Sequence, residues 1–322
     1  MTAEQDYAFK LAVQDSLSYL YYIIVILVFP LGFIFNVINI VLFKGSHFKD
    51  STMTFYHITF SINNNIMLFT NFFVYILTSL KRDPTNWSNF TCIFFSTCSR
   101  VWSAASSWLI VLLTLDRINH FYNHRHFKFL KNKKLLVLFF MYVILFCLNS
   151  GNLFLHLEST SILDPITNTT LSFLKCTASK EVIFDKEVVV LVVKSILPFV
   201  VIAILSFTLK KLLNKNKRVA DLNENLKMEY IFSYSMWVYD LFFLFANMPY
   251  AITLSLIINI INDSSILMTS RLFVLSDFFH NVSLFLTLYN FTFMFLVNIK
   301  FNVLYRKKFM NLYYDIKSYI IF

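Results

Sequence analysis

The sequence predicts an all-α membrane protein, a bundle of seven transmembrane helices followed by a short amphipathic helix along the membrane surface. Three observations carry this. Of the 322 residues, 57% are hydrophobic and the mean hydropathy is +0.63, more apolar matter than a soluble chain of this length could bury. The apolar residues gather into seven windows, each long enough for the ~20 residues that cross about 30 Å of hydrocarbon. Only three glycines and five prolines interrupt the chain. A lipid-exposed segment without barrel alternation must be helical to satisfy its backbone groups.

Residues 1–18 read as a short outer segment, with Glu4, Asp6 and Asp15 against Lys10. The first span covers 19–43; its apolar run is too long for a signal-peptide core and lacks a small-residue cleavage site, so it reads as a span and not a removed leader. Further spans are expected near 54–80, 92–121, 135–157, 188–213, 227–260 and 270–298. The remainder, 299–322, is a tail whose basic and aromatic pattern over 301–313 suits a helix lying on the inner surface.

The formal charge of +10 invites a nucleic-acid reading, but its distribution argues against one. Nineteen of the 28 basic residues fall in the connections after the first, third and fifth spans and in the tail, from Lys44 and Lys49 through Arg117, Lys134 and Lys210 to Lys317. That is the positive-inside bias, and it places the amino terminus outside and the carboxyl terminus inside. Asn86, Asn89, Asn168 and Asn262 begin glycosylation sequons, all in connections expected on the outer side. Of four cysteines, Cys92 stands before the third span and Cys176 in the loop after the fourth; both fall on the oxidising side and are able to pair. Cys98 and Cys147 read as small packing residues within spans.

Twenty-five residues after Cys92 comes Arg117 in Asp116-Arg117-Ile118, about 37 Å further along one helix. An outer cysteine, a long third helix ending in Asp-Arg, and a second cysteine in the following outer loop resemble the rhodopsin-like G-protein-coupled receptors, over essentially the whole chain. Asn36 after Leu31-Gly32 resembles the family's first-helix asparagine, and Asn64 falls where the family usually has a buried aspartate. Pro198 and Pro249 resemble its fifth- and sixth-helix prolines, each of which deprives a helix of one hydrogen bond and bends it. Asn290-Phe291-Thr292-Phe293-Met294 resembles the seventh-helix motif with phenylalanine for proline and methionine for tyrosine, a pattern similar to some invertebrate peptide-receptor and chemoreceptor groups. Ile118, His124 and Asn247 depart from the usual tyrosine, proline and tryptophan, and the fourth span lacks its tryptophan.

The resemblance implies a plasma-membrane receptor that binds an extracellular peptide or small molecule within the bundle and activates a heterotrimeric G protein, with no cofactor. Glu229 lies twenty residues before Pro249, about 30 Å along the sixth helix and so at its inner end, where its carboxylate can meet the Arg117 guanidinium. Asp116 is a competing partner. The bland alternative has Glu229 merely balancing the basic third loop. In the outer half, Ser99, Arg100, Ser103, Lys194, Tyr250, Asp277 and His280 are candidates for a ligand cavity, because charges there are costly lipid contacts. Asp277 either meets ligand or pairs internally with Lys194 or Arg100. Ser99 stands where an amine receptor would carry an acid, so an anionic partner, a peptide with an acidic terminus or a carboxylated small molecule, suits Arg100 and Lys194. Asp240 is expected to join Asn64 and Asn290 in a polar network.

His120, His124 and His126 mimic metal-ligand spacing but stand beside Arg125 and Lys128, so a solvated or headgroup role fits better. No zinc motif, nucleotide loop or nucleophile elbow supports an enzyme. A secondary transporter would explain the intramembrane charges but not the absence of inverted halves and glycine-broken helices. A non-signalling receptor-like protein is the other alternative, suggested by Asn247, Phe291 and Met294.

Overall fold

A computed structural model describes residues 3–45, 52–80, 82–122, 133–163, 170–220, 224–262 and 271–320. Helix α1 (Ala3–Ile23) continues through a π-helical turn, Ile24–Val28, into α2 (Phe29–Lys44). Then come α3 (Thr52–Ser79), α4 (Asn89–Tyr122) and α5 (Lys134–Leu148), which runs on as a 3-10 helix over Ser150–Phe154. A hairpin of β1 (His156–Leu163) and β2 (Thr170–Thr177) follows. Helix α6 (Lys180–Val190) passes through a second π turn, Leu191–Ile196, into α7 (Leu197–Ala220). The chain ends with α8 (Glu224–Asn262), α9 (Arg271–Phe301) and α10 (Val303–Ile320).

Among the described residues, five helices are long and apolar enough to cross a membrane: Ala8–Lys44, Met53–Ser79, Asn89–Phe121, Lys180–Lys217 and Glu229–Ile261. Helix α9 makes a sixth if its two halves, Val274–Asn290 and Thr292–Phe301, bent by 45°, count as one span; α5 is apolar but shorter. Around the bundle α2 lies beside α3, α3 beside α4, α4 beside α7, α7 beside α8, and α8 beside α9, which returns to α2; α5 packs on α4 from outside that ring.

The distribution of polarity identifies the solvent. Phe207 and Phe245 are 76% and 82% exposed, whereas Asn64, Asp240 and Asn290 are fully buried. A water-soluble protein hides the first kind and shows the second. Apolar surface outside and hydrogen-bonded polar groups between helices belong to a helical multi-pass membrane protein.

Both π turns stand two residues before a proline. Pro30 and Pro198 cannot donate to the carbonyl four residues back, and the ring crowds that carbonyl, so the preceding turn widens. Gly32 is needed for close approach: a Cβ there would sit 2.6 Å from Thr292 Cγ2 and 2.9 Å from Leu68 Cδ1, so α2, α3 and α9 meet across its bare backbone.

Several expectations change in detail. Helix begins at Ala3, so the segment before residue 19 is itself helical and continuous with the first span. The expected fourth span, 135–157, is α-helical only to Leu148. There the Asn149 amide donates back to the Leu145 carbonyl at 2.8 Å and Asn152 to that of Asn149 at 3.0 Å, side chains competing with the helical ladder until the strand starts at His156. The hairpin is an addition to an otherwise all-α fold. Cys147 is exposed on the outer face of α5 and not a buried packing residue.

Helix α10 is fastened beneath α2 and α9. Asn302 caps it, accepting from the Tyr305 N–H at 3.0 Å, and the Tyr305 hydroxyl donates to Asn39 of α2. Burial pushes the Tyr305 hydroxyl well above its usual pKa, which keeps it a donor. Tyr313 and Tyr314 are exposed on the far side of the helix.

Candidate functional site

The two ends of α4 carry different chemistry. At its first turn Cys92 is joined to Cys176 of β2. The hairpin is held there by side chains as well: Asn86 Oδ1 accepts from the Cys176 N–H and Asn89 Oδ1 from the Leu157 N–H, each at 2.8 Å. Of the four sequon asparagines, these two therefore anchor the hairpin backbone. Asn168 lies outside the described residues, and Asn262 ends α8.

Below the hairpin a cavity of about 290 Å³ opens between α4, α6, α8 and α9, walled by Ser99, Arg100, Lys194, Tyr250, Asp277 and His280. Six of the seven sequence candidates thus share one space. Ser103 is buried but does not line it. Arg100 turns into the cavity and Trp102 away from it, onto Tyr142 of α5 at 5.4 Å, as two residues about 200° apart on a helix must.

The ion pair of Arg100 corrects an expectation. Its Nη2 lies 2.6 Å from Glu187 Oε1, and Asp277 pairs with neither Arg100 nor Lys194 within 4 Å. Glu187, on α6, also has Lys186 Nζ at 3.9 Å. Sequence reasoning missed Glu187 because it precedes the apolar window among charged neighbours. Its position seven residues before Lys194, about two turns on the same helical face, was the available signal.

Lys194 sits in the π turn and is 5% exposed. Its Nζ lies 4.0 Å from the Tyr250 ring centre, and among the described residues no carboxylate comes within 4 Å of it. The widened turn is braced from α4, where the Trp108 indole N–H donates to the Val193 carbonyl at 3.0 Å. The His280 ring stands 5.0 Å from that of Tyr250, and its buried Nδ1 lacks a partner.

At the other end of α4, Arg117 is 3% exposed and bridges two carboxylates. Nη1 lies 2.7 Å from Glu229 Oε2 on α8, and Nη2 lies 2.6 Å from Asp116 Oδ2. His120 Nε2 is 3.8 Å from the same Glu229 oxygen, while His124 and His126 lie outside the described residues. Among the described residues no cluster of three His, Cys, Asp or Glu is placed to hold a metal.

Between the ends, α4 presents a ladder of hydroxyls. Ser99 donates to Asn71 at 3.0 Å and Ser106 to Asn64 at 2.7 Å, both on α3; Thr114 donates to Asp240 of α8 at 2.9 Å. Asn63 donates to Ser106 at 2.6 Å and accepts from Tyr142 at 2.8 Å. Asp240 is therefore bonded through Thr114 and not directly to Asn64 or Asn290. The reason is reach, since Asp240 faces α4 while its neighbour Tyr239 turns to α9 and donates to the Asn290 carbonyl at 3.2 Å. Asn247 donates to its own helix at Phe243, 2.9 Å. Buried atoms of Asn36, Asn64, Asp240 and Asn290 keep unused hydrogen-bonding capacity. Pro198 is buried behind the π turn and Pro249 lies within α8.

No protein-family model matches this chain, and comparison with curated proteins likewise finds no match.

Proposed function

We propose that the chain is a rhodopsin-like G-protein-coupled receptor: a seven-span plasma-membrane protein that binds an extracellular ligand in the cavity at the disulfide end and activates a heterotrimeric G protein at the Arg117 end. The observation that carries this is the Arg117 bridge to Glu229 and Asp116. It ties α4 to α8 at the end of the bundle opposite the cavity. A buried guanidinium held by a partly exposed carboxylate on a neighbouring helix is a contact with two arrangements, closed and parted, and so suits a switch.

The span count is consistent with the lengths. Helix α5 has 15 residues, a rise of about 22 Å, and its five-residue 3-10 extension adds about 10 Å, together near the ~30 Å of a hydrocarbon core. Basic residues such as Lys210, Lys211 and Lys215 at the Arg117 end favour that end facing the cytoplasm. Asn247, Phe291 and Met294 favour a second reading, a receptor-shaped protein that does not signal.

The test needs no ligand. Guanine-nucleotide exchange is followed on a panel of G proteins in membranes bearing wild type, Glu229→Ala, and Glu229→Ala with Arg117→Ala, at matched surface levels. Raised exchange in the single variant, lost in the double, supports the receptor. Silence in all three despite surface delivery and a formed Cys92–Cys176 bridge sinks it in favour of the non-signalling reading.

A further inference from the structure

The cavity is built around an unequal division of charge. Glu187 serves two cations, Arg100 at 2.6 Å and Lys186 at 3.9 Å. Lys194 projects its ammonium into the same space against an aromatic face, with no carboxylate of the described residues within 4 Å. A lysine buried among helices is costly unless something compensates it, and a ring at 4.0 Å does so only in part. The other available acid, Asp277, lines the cavity without approaching either cation within 4 Å. Next to this polar patch lies an apolar wall of Leu254, Ile257, Ile261 and Leu284. At about 290 Å³ the space stands at the lower end of the ~300–1,000 Å³ typical of small-molecule pockets.

We infer that the cavity takes an organic carboxylate with an apolar body, and that Glu187 is an internal stand-in for it, holding Arg100 until the ligand's carboxylate settles between Arg100 and Lys194. This rests on the receptor reading of the cavity as the ligand site. The apolar body lies along the Leu254 and Ile257 side of α8. The ligand's anion supplies the carboxylate that Lys194 lacks, and Glu187, 18% exposed at the side chain, is released toward Lys186 and solvent. Because Glu187 competes for Arg100, it lowers ligand affinity; a ligand that binds only the released arrangement shifts the population toward it. An ammonium ligand would find its partner in Asp277 alone and would meet Arg100 and Lys194 as like charges, so it binds more weakly than the acid.

The experiment uses the full chain in lipid nanodiscs and reads the ligand-dependent rise in Tm relative to each variant's own baseline. The probes are 3-phenylpropionate, its primary amide and 3-phenylpropylamine, with a second arm of an Ala-Ala-Ile-Phe tetrapeptide as free acid and as amide. A free acid and a peptide terminus offer the same carboxylate, and whichever acid binds more tightly names the source. Expected are stabilisation by an acid but not by its amide or the amine, about tenfold weaker acid binding in Lys194→Gln with retention in Lys194→Arg, and about tenfold tighter binding in Glu187→Gln. Should Lys194→Gln not fold, Glu187→Gln and the acid-to-amide contrast in wild type decide the matter.

Equal effects of acid and amide, no response to any acid, or unchanged binding in Glu187→Gln would each overturn the inference. An acid that binds as described while Glu229→Ala leaves exchange silent supports the site chemistry and sinks the receptor. Exchange that responds to Glu229→Ala while no acid binds sinks the carboxylate alone.

Discussion

Removing the Glu229 carboxylate cuts the Arg117 tie between α4 and α8 and leaves that of Thr114 to Asp240, and the structure bounds what the lost tie is worth. Arg117 is buried, with 4% of its side chain exposed, but Glu229 is 33% exposed, so the pair sits between two regimes. Fully exposed pairs contribute about 0.2–1 kcal/mol, whereas breaking a fully buried pair costs about 3–5 kcal/mol because a charge is stranded. Here Arg117 is not stranded: Asp116 stays at 2.6 Å. The loss therefore falls near the lower regime, about 1–2 kcal/mol, or roughly a tenfold shift between closed and parted arrangements. Glu229→Ala is expected to raise ligand-free nucleotide exchange about tenfold, and Glu229→Gln by less, since a neutral hydrogen bond retains about half the strength of a charge-assisted one. Exchange is measured at two ionic strengths, and raised salt brings wild type part of the way toward Glu229→Ala. Rates that do not order as wild type, Gln, Ala, or an Ala effect that persists when Arg117 is also replaced, would refute the assignment of the tie.

Three further outcomes follow from packing. Gly32→Ala forces a methyl against Thr292, whose hydroxyl donates to the Tyr289 carbonyl at 2.7 Å and so holds the side chain in place. Thermal unfolding should show a loss of about 1–3 kcal/mol, with roughly half regained on adding Thr292→Ser, which deletes the offending methyl and keeps the hydroxyl. Cys176→Ser opens an 84-residue loop, with an upper limit of about 4–5 kcal/mol by chain entropy. The measured drop in Tm should be smaller, because helices confined to a bilayer have less freedom to gain, and reduction of wild type should reproduce it. Tyr305→Phe leaves the Asn39 oxygen without its donor at about 1–3 kcal/mol, read as faster hydrogen exchange confined to α10 and the carboxyl-terminal half of α2.

The approach of Arg117 to Glu229 is legible in the chain because it depends on rise alone. Offsets from Cys92 and Pro249 set depth, and two groups at one depth in adjacent helices can meet. Rotation about the helix axis is another matter. Arg100, Lys194 and Asp277 can be ranked by depth from sequence, but which of them touch depends on how α6 and α9 are turned, and that is set by packing. The π turn at Leu191–Ile196 adds to the difficulty, since a widened turn shifts the register of everything before it. Hence the depth of Asp277 brings it to the cavity but does not decide its partner, and the pairing of Arg100 with Glu187 is not legible from depth alone. The change from α-helix at the end of α5 is hidden for a different reason: Leu153, Phe154 and Leu155 keep hydropathy high past Asn149, where side-chain amides have already taken over the backbone carbonyls. Hydropathy measures preference for lipid and is blind to that competition.

Helix α4 gives the two ends a physical connection without requiring a wire between them. Its polar contacts at Ser99 and Ser106 go to α3, and those at Thr114 and Arg117 go to α8. The upper pair fixes α4 to α3 by hydrogen bonds between neutral groups. The lower pair meets Asp240 and Glu229, two carboxylates on a helix that also carries Tyr250 into the cavity. A shift of α8 driven from Tyr250 and Lys194 would therefore be resisted by the Thr114 and Arg117 contacts, whereas the bonds of Ser99 and Ser106 run to α3 and leave α8 unheld by them. On the receptor reading, that asymmetry points to α8 as the helix that shifts and to α4 with α3 as the frame against which it would move. Coupling then needs only that both sites bias the same helix.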